Sequence, residues 1–210
     1  MEVAVTQSNQ APGRRSILKF GAALALGLPA SMALASCAAE DPLAQQAAEG
    51  NNKNYIAGDG SVTEYAEAER GAPVELSGTL YNGTTVNSRD WQGTVTVLNF
   101  WYAACAPCRK EAPDLVALHE EFAPQGPQFF GVNIRDEQPT AEAFERSFGI
   151  PYPSFNDKDG GVLLAMTSYV PPQAVPTTLV LDRQGRVSAR ILGLAEKGTL
   201  SALIEAVLAE

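Results

Sequence analysis

From residue 73 onward the chain alternates short apolar runs with amphipathic stretches. Thr94-Val95-Thr96-Val97-Leu98-Asn99-Phe100 is β-branched, near-continuously apolar and of strand length, the pattern of a strand covered on both faces. Pro107 to about Phe122 places Leu115, Leu118 and Phe122 at i, i+3 and i+7, which predicts a helix. Gln128 to Ile134 predicts a second buried strand. A helix capped by Thr140 is predicted through Phe148. Glu142 stands two residues after Thr140 rather than three, so the capping-box pattern is not met. Asp159 to about Met166 predicts a short helix. Thr177–Leu181 and Arg186–Leu192 read as strands joined by the tight turn Asp182-Arg183-Gln184-Gly185, and Glu196–Leu208 as a closing helix. Ahead of these, Val74 to Leu80 alternates weakly and Tyr81-Asn82-Gly83-Thr84 signals a hairpin turn.

The order β-α-β-α, then a hairpin, then a helix, is that of a thioredoxin fold. The expected architecture is α/β: a central mixed sheet flanked by helices, with an added N-terminal β-hairpin and a central insertion around 136–166. Residues 73–210 suit one domain, without internal repeats.

The first residues read differently. Arg14, Arg15 and Lys19 precede an apolar run from Phe20 to about Ala35 that ends in small residues before Cys37, a secretory signal layout over 1–36. The run holds about 17 residues and contains Gly27 and Pro29, short of the roughly 20 apolar residues of a spanning helix. Leu34-Ala35-Ser36-Cys37 resembles a bacterial lipobox, which implies lipidation of Cys37 as the mature N-terminus; the alternative is a cleaved signal with an incidental cysteine. Gly13 to Lys19 resembles a twin-arginine export motif, although paired arginines also occur in ordinary export signals. Residues 37–72, rich in Ala, Glu, Asn, Gly and Gln, are expected to form the lipidated N-terminus and a flexible tether. Such a tether spans about 30–35 Å root-mean-square. Tyr55, Ile56 and Tyr65 are candidates to dock on the domain.

The net charge is −9. The leader holds Arg14, Arg15 and Lys19 against Glu2, a net of +2, so the remainder carries −11. This acidity argues against nucleic acid and against charge-driven binding to an anionic membrane. Attachment to the outer face of the cell membrane then depends on lipid, and two acyl chains anchor stably where one does not.

Of three cysteines, Cys37 is the candidate lipid site, leaving Cys105 and Cys108. Cys-x-x-Cys is too short to staple distant parts of a fold, so in an exported chain a redox-active pair is the better explanation. The pair falls between a predicted buried strand and a helix start. There the unpaired N–H groups and the helix dipole favour an anion, which lowers a thiol pKa and makes Cys105 the nucleophile. Pro107 suits the first helical turn. A structural zinc site needs four Cys or His ligands, and only His119 remains; haem attachment needs His at 109, which is Arg. No metal or other cofactor is expected.

Around these residues the chain resembles the TlpA/ResA-like branch of the thioredoxin superfamily. The resemblance covers about 74–210 and rests on Leu98-Asn99-Phe100-Trp101, the Cys105/Cys108 pair, Glu111-Ala112-Pro113, and Val175-Pro176-Thr177 through Gly185. It implies a membrane-anchored protein-disulfide reductase, often serving cytochrome c maturation, fed by a membrane electron donor. It also implies a cis Val175–Pro176 bond that sets the Val175 backbone beside the disulfide, where a substrate peptide can pair; Trp101 is a further candidate for substrate contact, although it and Trp91 read more readily as packing groups than as ligand platforms. Pro113 corresponds to a proline that kinks the active-site helix. Glu111 corresponds to a buried acid, a candidate proton relay, or else is an acid favoured in a first helical turn. Asn99 stands where thioredoxins carry a buried acid. One departure is Ala104, where the family usually has Trp before the first cysteine. Peroxidases of the same fold carry Pro-x-x-x-Thr-x-x-Cys; here those positions are Leu98 and Tyr102. The expected partners are protein disulfides, with the chain a monomer. An oxidant running the same site in reverse, or a binding module with idle cysteines, are the alternatives.

Overall fold

Strand β4, Thr96–Trp101, has all six residues buried. Side chains alternate across a strand, so each face of β4 needs its own cover. Leu98 and Phe100 join a cluster with Leu76, Leu80, Trp91, Phe155, Val162 and Met166, while Val97 joins one with Leu115, Leu118, Leu200 and Ile204. A computed structural model describes residues 56–210. Their strands are β1 (Ser61–Glu64), β2 (Ser77–Thr79), β3 (Thr85–Asn87), β4, β5 (Gln128–Asn133), β6 (Ser154–Asn156), β7 (Thr177–Leu181) and β8 (Val187–Leu192). Their helices are α1 (Ala106–Phe122), α2 (Gln138–Phe148), α3 (Gly161–Ala165) and α4 (Lys197–Leu208).

Six strands form one mixed sheet in the order β1-β8-β7-β4-β5-β6. β4, β5 and β6 run parallel, whereas β7 is antiparallel to β4, β8 to β7, and β1 to β8. The apolar faces of α1 and α4 cover one side of the sheet. The β2–β3 hairpin, a short 3-10 turn ending at Trp91, and α3 cover the other. There the Trp91 ring stacks on Phe130 at 5.3 Å and meets Phe155 edge-on. This is the expected thioredoxin architecture, with the hairpin and the insertion containing β6 and α3 added to it.

Three elements differ from the sequence expectation. The stretch expected to be tether belongs to the fold from residue 56: β1 pairs with β8, Tyr65 packs edge-on to Tyr169 at 5.8 Å, and Arg70 enters a buried ion pair. Being an edge strand, β1 has three exposed residues of four, so no apolar alternation marks it. α2 starts at Gln138, two residues before Thr140, with Pro139 in the first turn where a missing N–H costs nothing. β6 is three residues behind Pro153, too short for a periodic signal. Residues 1–55, including the signal layout and Cys37, lie outside the described residues.

The segment at Arg70 is tied down by charge. Its guanidinium donates to Asp182 at 3.0 Å and to Glu210 at 2.6 Å. Arg186 Nε donates to the same Asp182 carboxylate at 2.7 Å. Burial opposes ionisation of Asp182, but the Arg186 amide and the two guanidiniums hold its carboxyl below the usual range. Such a group adds stability above the unfolded carboxylate pKa and loses it as pH falls through the folded one. Asp182→Ala, which strands two cations around a buried hole, is expected to destabilise the domain by about 3 kcal/mol. Denaturant unfolding at neutral pH measures the loss, and the gap to wild type narrows in acid.

Candidate active site

Cys105 and Cys108 form a disulfide at the start of α1, with Cα atoms 5.3 Å apart. The geometry follows from the local sequence. β4 ends at Trp101, Tyr102 to Ala104 make the turn, and Pro107 takes the first turn of α1 without forfeiting a hydrogen bond. Cys105 is the N-cap: its Sγ accepts the Cys108 N–H at 3.2 Å, meeting one of the N–H groups that a helix start leaves unpaired. Cys105 is 0% and Cys108 2% exposed, while the flanking Ala104 and Ala106 are exposed, so the disulfide lies just beneath the surface.

The loop between strand and helix is gripped at one residue, Ala103. Asp136 accepts the Ala103 N–H at 2.6 Å, and Arg109 donates to the Ala103 carbonyl at 3.3 Å. Asn133 orients Asp136, donating to its carboxylate at 2.9 Å and accepting the Asp136 N–H at 2.8 Å. The Arg135 guanidinium lies 4.2 Å over the Tyr102 ring, and Arg109 lies 5.1 Å over Phe148. Sequence reasoning missed Asn133, Arg135 and Asp136. Their only signal was Asn-x-x-Asp at a strand end, an arrangement that closes turns through its own side chains. Arg109, exposed on the first turn of α1, folds back onto the loop.

Three residues after Cys108 on α1, Glu111 is 1% exposed. Its two oxygens accept from Asn99 Nδ2 at 2.7 Å and from the Ala195 N–H at 2.8 Å. Asn99 also donates to Thr178 Oγ1 at 3.1 Å. Burial pushes the Glu111 carboxyl up to about 8, against the two hydrogen bonds, because no cation accompanies it. Tyr152 is raised too, by burial first and the Glu111 charge second. A cavity of about 10 Å³ is walled by Cys108, Asn99, Trp101, Ala112, Phe144 and Tyr152, among others. That is about the room one water needs.

Val175–Pro176 is a cis peptide bond at the entry to β7. Val175 shares the cluster that contains Cys105 and Cys108. Trp101, a candidate for substrate contact, is 4% exposed with its ring 4.3 Å from Phe144. It is a packing group and cavity wall, because β4 turns it toward α2 rather than outward. Pro113 lies inside α1, so the Arg109 carbonyl lacks its usual helical donor. His119 sits against Phe129 and Tyr152 at 5.4 and 5.5 Å, remote in role from the cysteines. Among the described residues, no helix is long and apolar enough to cross a membrane, and no group of three or more His, Cys, Asp or Glu is placed to hold a metal.

Residues 71–190 match the AhpC/TSA family. The thiol–disulfide oxidoreductase ResA of Geobacillus kaustophilus is 31% identical over 118 residues, 56% of this chain and 66% of that protein. The thiol:disulfide interchange protein HelX of Rhodobacter capsulatus is 33% identical over 126 residues, 60% of this chain and 66% of that protein. The match thus spans slightly under two thirds of each relative's own length. A secreted thiol–disulfide isomerase from Corynebacterium glutamicum superposes with a TM-score of 0.64 at 32% identity, over 72% of this chain and 95% of that one.

A carboxyl whose folded pKa is raised binds its proton more tightly in the folded state. Its contribution to stability is therefore full below the unfolded pKa and is lost as pH rises through about 8. The oxidised protein is expected to lose stability steadily between pH 5 and about 8, and Glu111→Gln, which removes the titrating proton while keeping one acceptor oxygen for Asn99 or Ala195, to lower overall stability and flatten that slope. Urea midpoints across this pH range check it; parallel profiles in both proteins contradict it.

Proposed function

The chain belongs to the AhpC/TSA family, as a TlpA/ResA-like member of the thioredoxin superfamily, and from that membership we propose that it is an extracytoplasmic thiol–disulfide oxidoreductase that reduces protein disulfides. The observation that carries the reading is a disulfide whose first sulfur caps a helix while the second lies one turn on. The cap position favours a thiolate at Cys105 once the pair is reduced.

The cycle needs two displacements. The Cys105 thiolate attacks one sulfur of a substrate disulfide; the substrate S–S bond breaks, a mixed disulfide forms, and one substrate thiolate leaves. Cys108, deprotonated, attacks Cys105 Sγ; the mixed disulfide breaks, the second substrate thiolate leaves, and the Cys105–Cys108 bond forms. Two electrons pass from the protein to the substrate, and the structure corresponds to the oxidised product. The leaving thiolates each take a proton. Glu111, raised to about 8 and hydrogen-bonded to Asn99, which lines the Cys108 cavity, is the proposed acceptor for the Cys108 proton. A single water in that cavity completes the relay.

The Val175 backbone beside Pro176 is the proposed pairing site for the substrate chain. Lipidation at Cys37, export through the leader, reduction by a membrane electron donor, service to cytochrome c maturation and a monomeric state complete the proposal. Peroxide is disfavoured as substrate because buried Leu98 and Tyr102 stand where fold-related peroxidases carry Pro and Thr.

Cys105→Ser is expected to abolish insulin-disulfide reduction by orders of magnitude, since no other group can begin the exchange. Cys108→Ser is expected to accumulate mixed disulfides through Cys105. Diagonal electrophoresis under non-reducing then reducing conditions reads the trapped partners; full turnover by both variants would end the proposal.

A further inference from the structure

The backbone edge just before Pro176 is already occupied. Ile56 donates its N–H to the Gln173 carbonyl at 2.9 Å, and its own carbonyl accepts the Val175 N–H at 3.2 Å. The two bonds bracket Ala174 in a parallel bridge, the pattern by which an extended peptide adds to a strand edge. Gln173 is the one non-glycine residue among those described with a left-handed backbone, φ 67°, a conformation that costs about 1 kcal/mol. Its carbonyl is the one that Ile56 meets.

The strap is seated by close approach further along. A Cβ on Gly58 would collide with the backbone of Leu192 and Gly193, so only glycine fits there. Gly60 then donates to the Leu192 carbonyl at 2.7 Å, and β1 follows on β8. Ile56, Ala57 and Gly58 are half-buried, and Ile56 is not part of either core cluster. Backbone bonds and one glycine contact, rather than core packing, hold the segment. Cys105 itself lies just beneath the surface between exposed Ala104 and Ala106.

We propose that Ile56–Gly58 is a built-in stand-in for the substrate backbone, a strap that occupies the Gln173–Val175 edge and that an incoming extended polypeptide displaces. This rests on the oxidoreductase proposal, because it makes Val175 the substrate's pairing site. Its consequence is selectivity among polypeptide substrates: a chain able to form both backbone bonds replaces what is lost, whereas a small disulfide that does not use this edge leaves the strap in place.

The test uses the full chain with Ile56→Pro, which deletes the donated N–H, and separately Gly58→Ala, which lifts the strap from β8. Amide exchange at Val175 is expected to quicken at least tenfold in both. Reduction of a peptide disulfide is expected to rise by about 5- to 30-fold, the span for losing one or two hydrogen bonds of ordinary net strength. Reduction of an aromatic disulfide reagent without a peptide backbone should stay within about twofold. Unchanged Val175 exchange, or equal peptide rates in an active parent and both variants, overturns the strap. A parent chain inert toward every disulfide, with Val175 exchange still quickened in the variants, overturns the oxidoreductase reading instead, and the strap's role as substrate stand-in with it.

Discussion

The site depends on one junction, the point where a strand buried on both faces hands over to a helix whose first N–H groups need an acceptor. β4 is pinned between two cores, so Trp101 cannot shift along its axis without displacing side chains on both sides of the sheet. Four residues later α1 must begin, and the atom that meets its open end is the Cys105 sulfur. A hydroxyl or carboxylate is the commoner group at such a position. Putting sulfur there links capping to chemistry: the N–H that the sulfur caps would also favour the Cys105 thiolate that the proposed cycle requires. Packing of the sheet, the helix start and the reactivity of Cys105 are thus aspects of one constraint.

The loop across the junction is held by its backbone. Position 104 is alanine and exposed, so no large ring lies over the approach to the disulfide. Order comes instead from Asp136 on the Ala103 N–H and Arg109 on its carbonyl, with Asn133 fixing Asp136. Two neighbouring chain segments are thereby bolted together through charge-assisted hydrogen bonds, the strong class of such bonds. The small side chain leaves the surface above the pair open in shape, and the grip keeps the cysteines in register regardless of what docks there.

Much of this was legible in the residues. The continuous apolar run of β4, the 3.6-residue spacing of α1 and the Cys-x-x-Cys between them each carry a local signal, because burial on two faces, burial on one stripe and helix capping leave different patterns. β7 and β8 were equally plain, since a tight turn separates two β-branched runs. What escaped notice carries no such pattern. β1 is polar because it is an edge, and its place is set by pairing with β8, a partner more than a hundred residues away. The Asp136 clamp and the Ile56 bridge are contacts of single residues across the fold, and no periodicity announces them. Trp101 reads in sequence both as a candidate substrate contact and as a packing group, and it is its neighbour Phe144 on α2, out of reach of any periodicity, that makes it packing.

Two buried acids show how surroundings divide structural from chemical roles. Asp182 and Glu111 are both about 1% exposed. Asp182 meets two guanidiniums and stays ionised, so its charge is fixed across the physiological range and serves only to hold Arg70 and Arg186 in place. Glu111 meets an amide side chain and a backbone N–H, donors that carry no full charge, and burial outweighs them. Its two protonation states therefore lie close in free energy near neutral pH, the condition for a group that must both take and release a proton. Had a lysine or arginine stood where Asn99 stands, the carboxylate would be as inert as Asp182. The neutral amide on β4 is what leaves Glu111 able to titrate, and because Asn99 itself lines the cavity shared with Cys108, the proposed relay has a route from thiol to carboxyl.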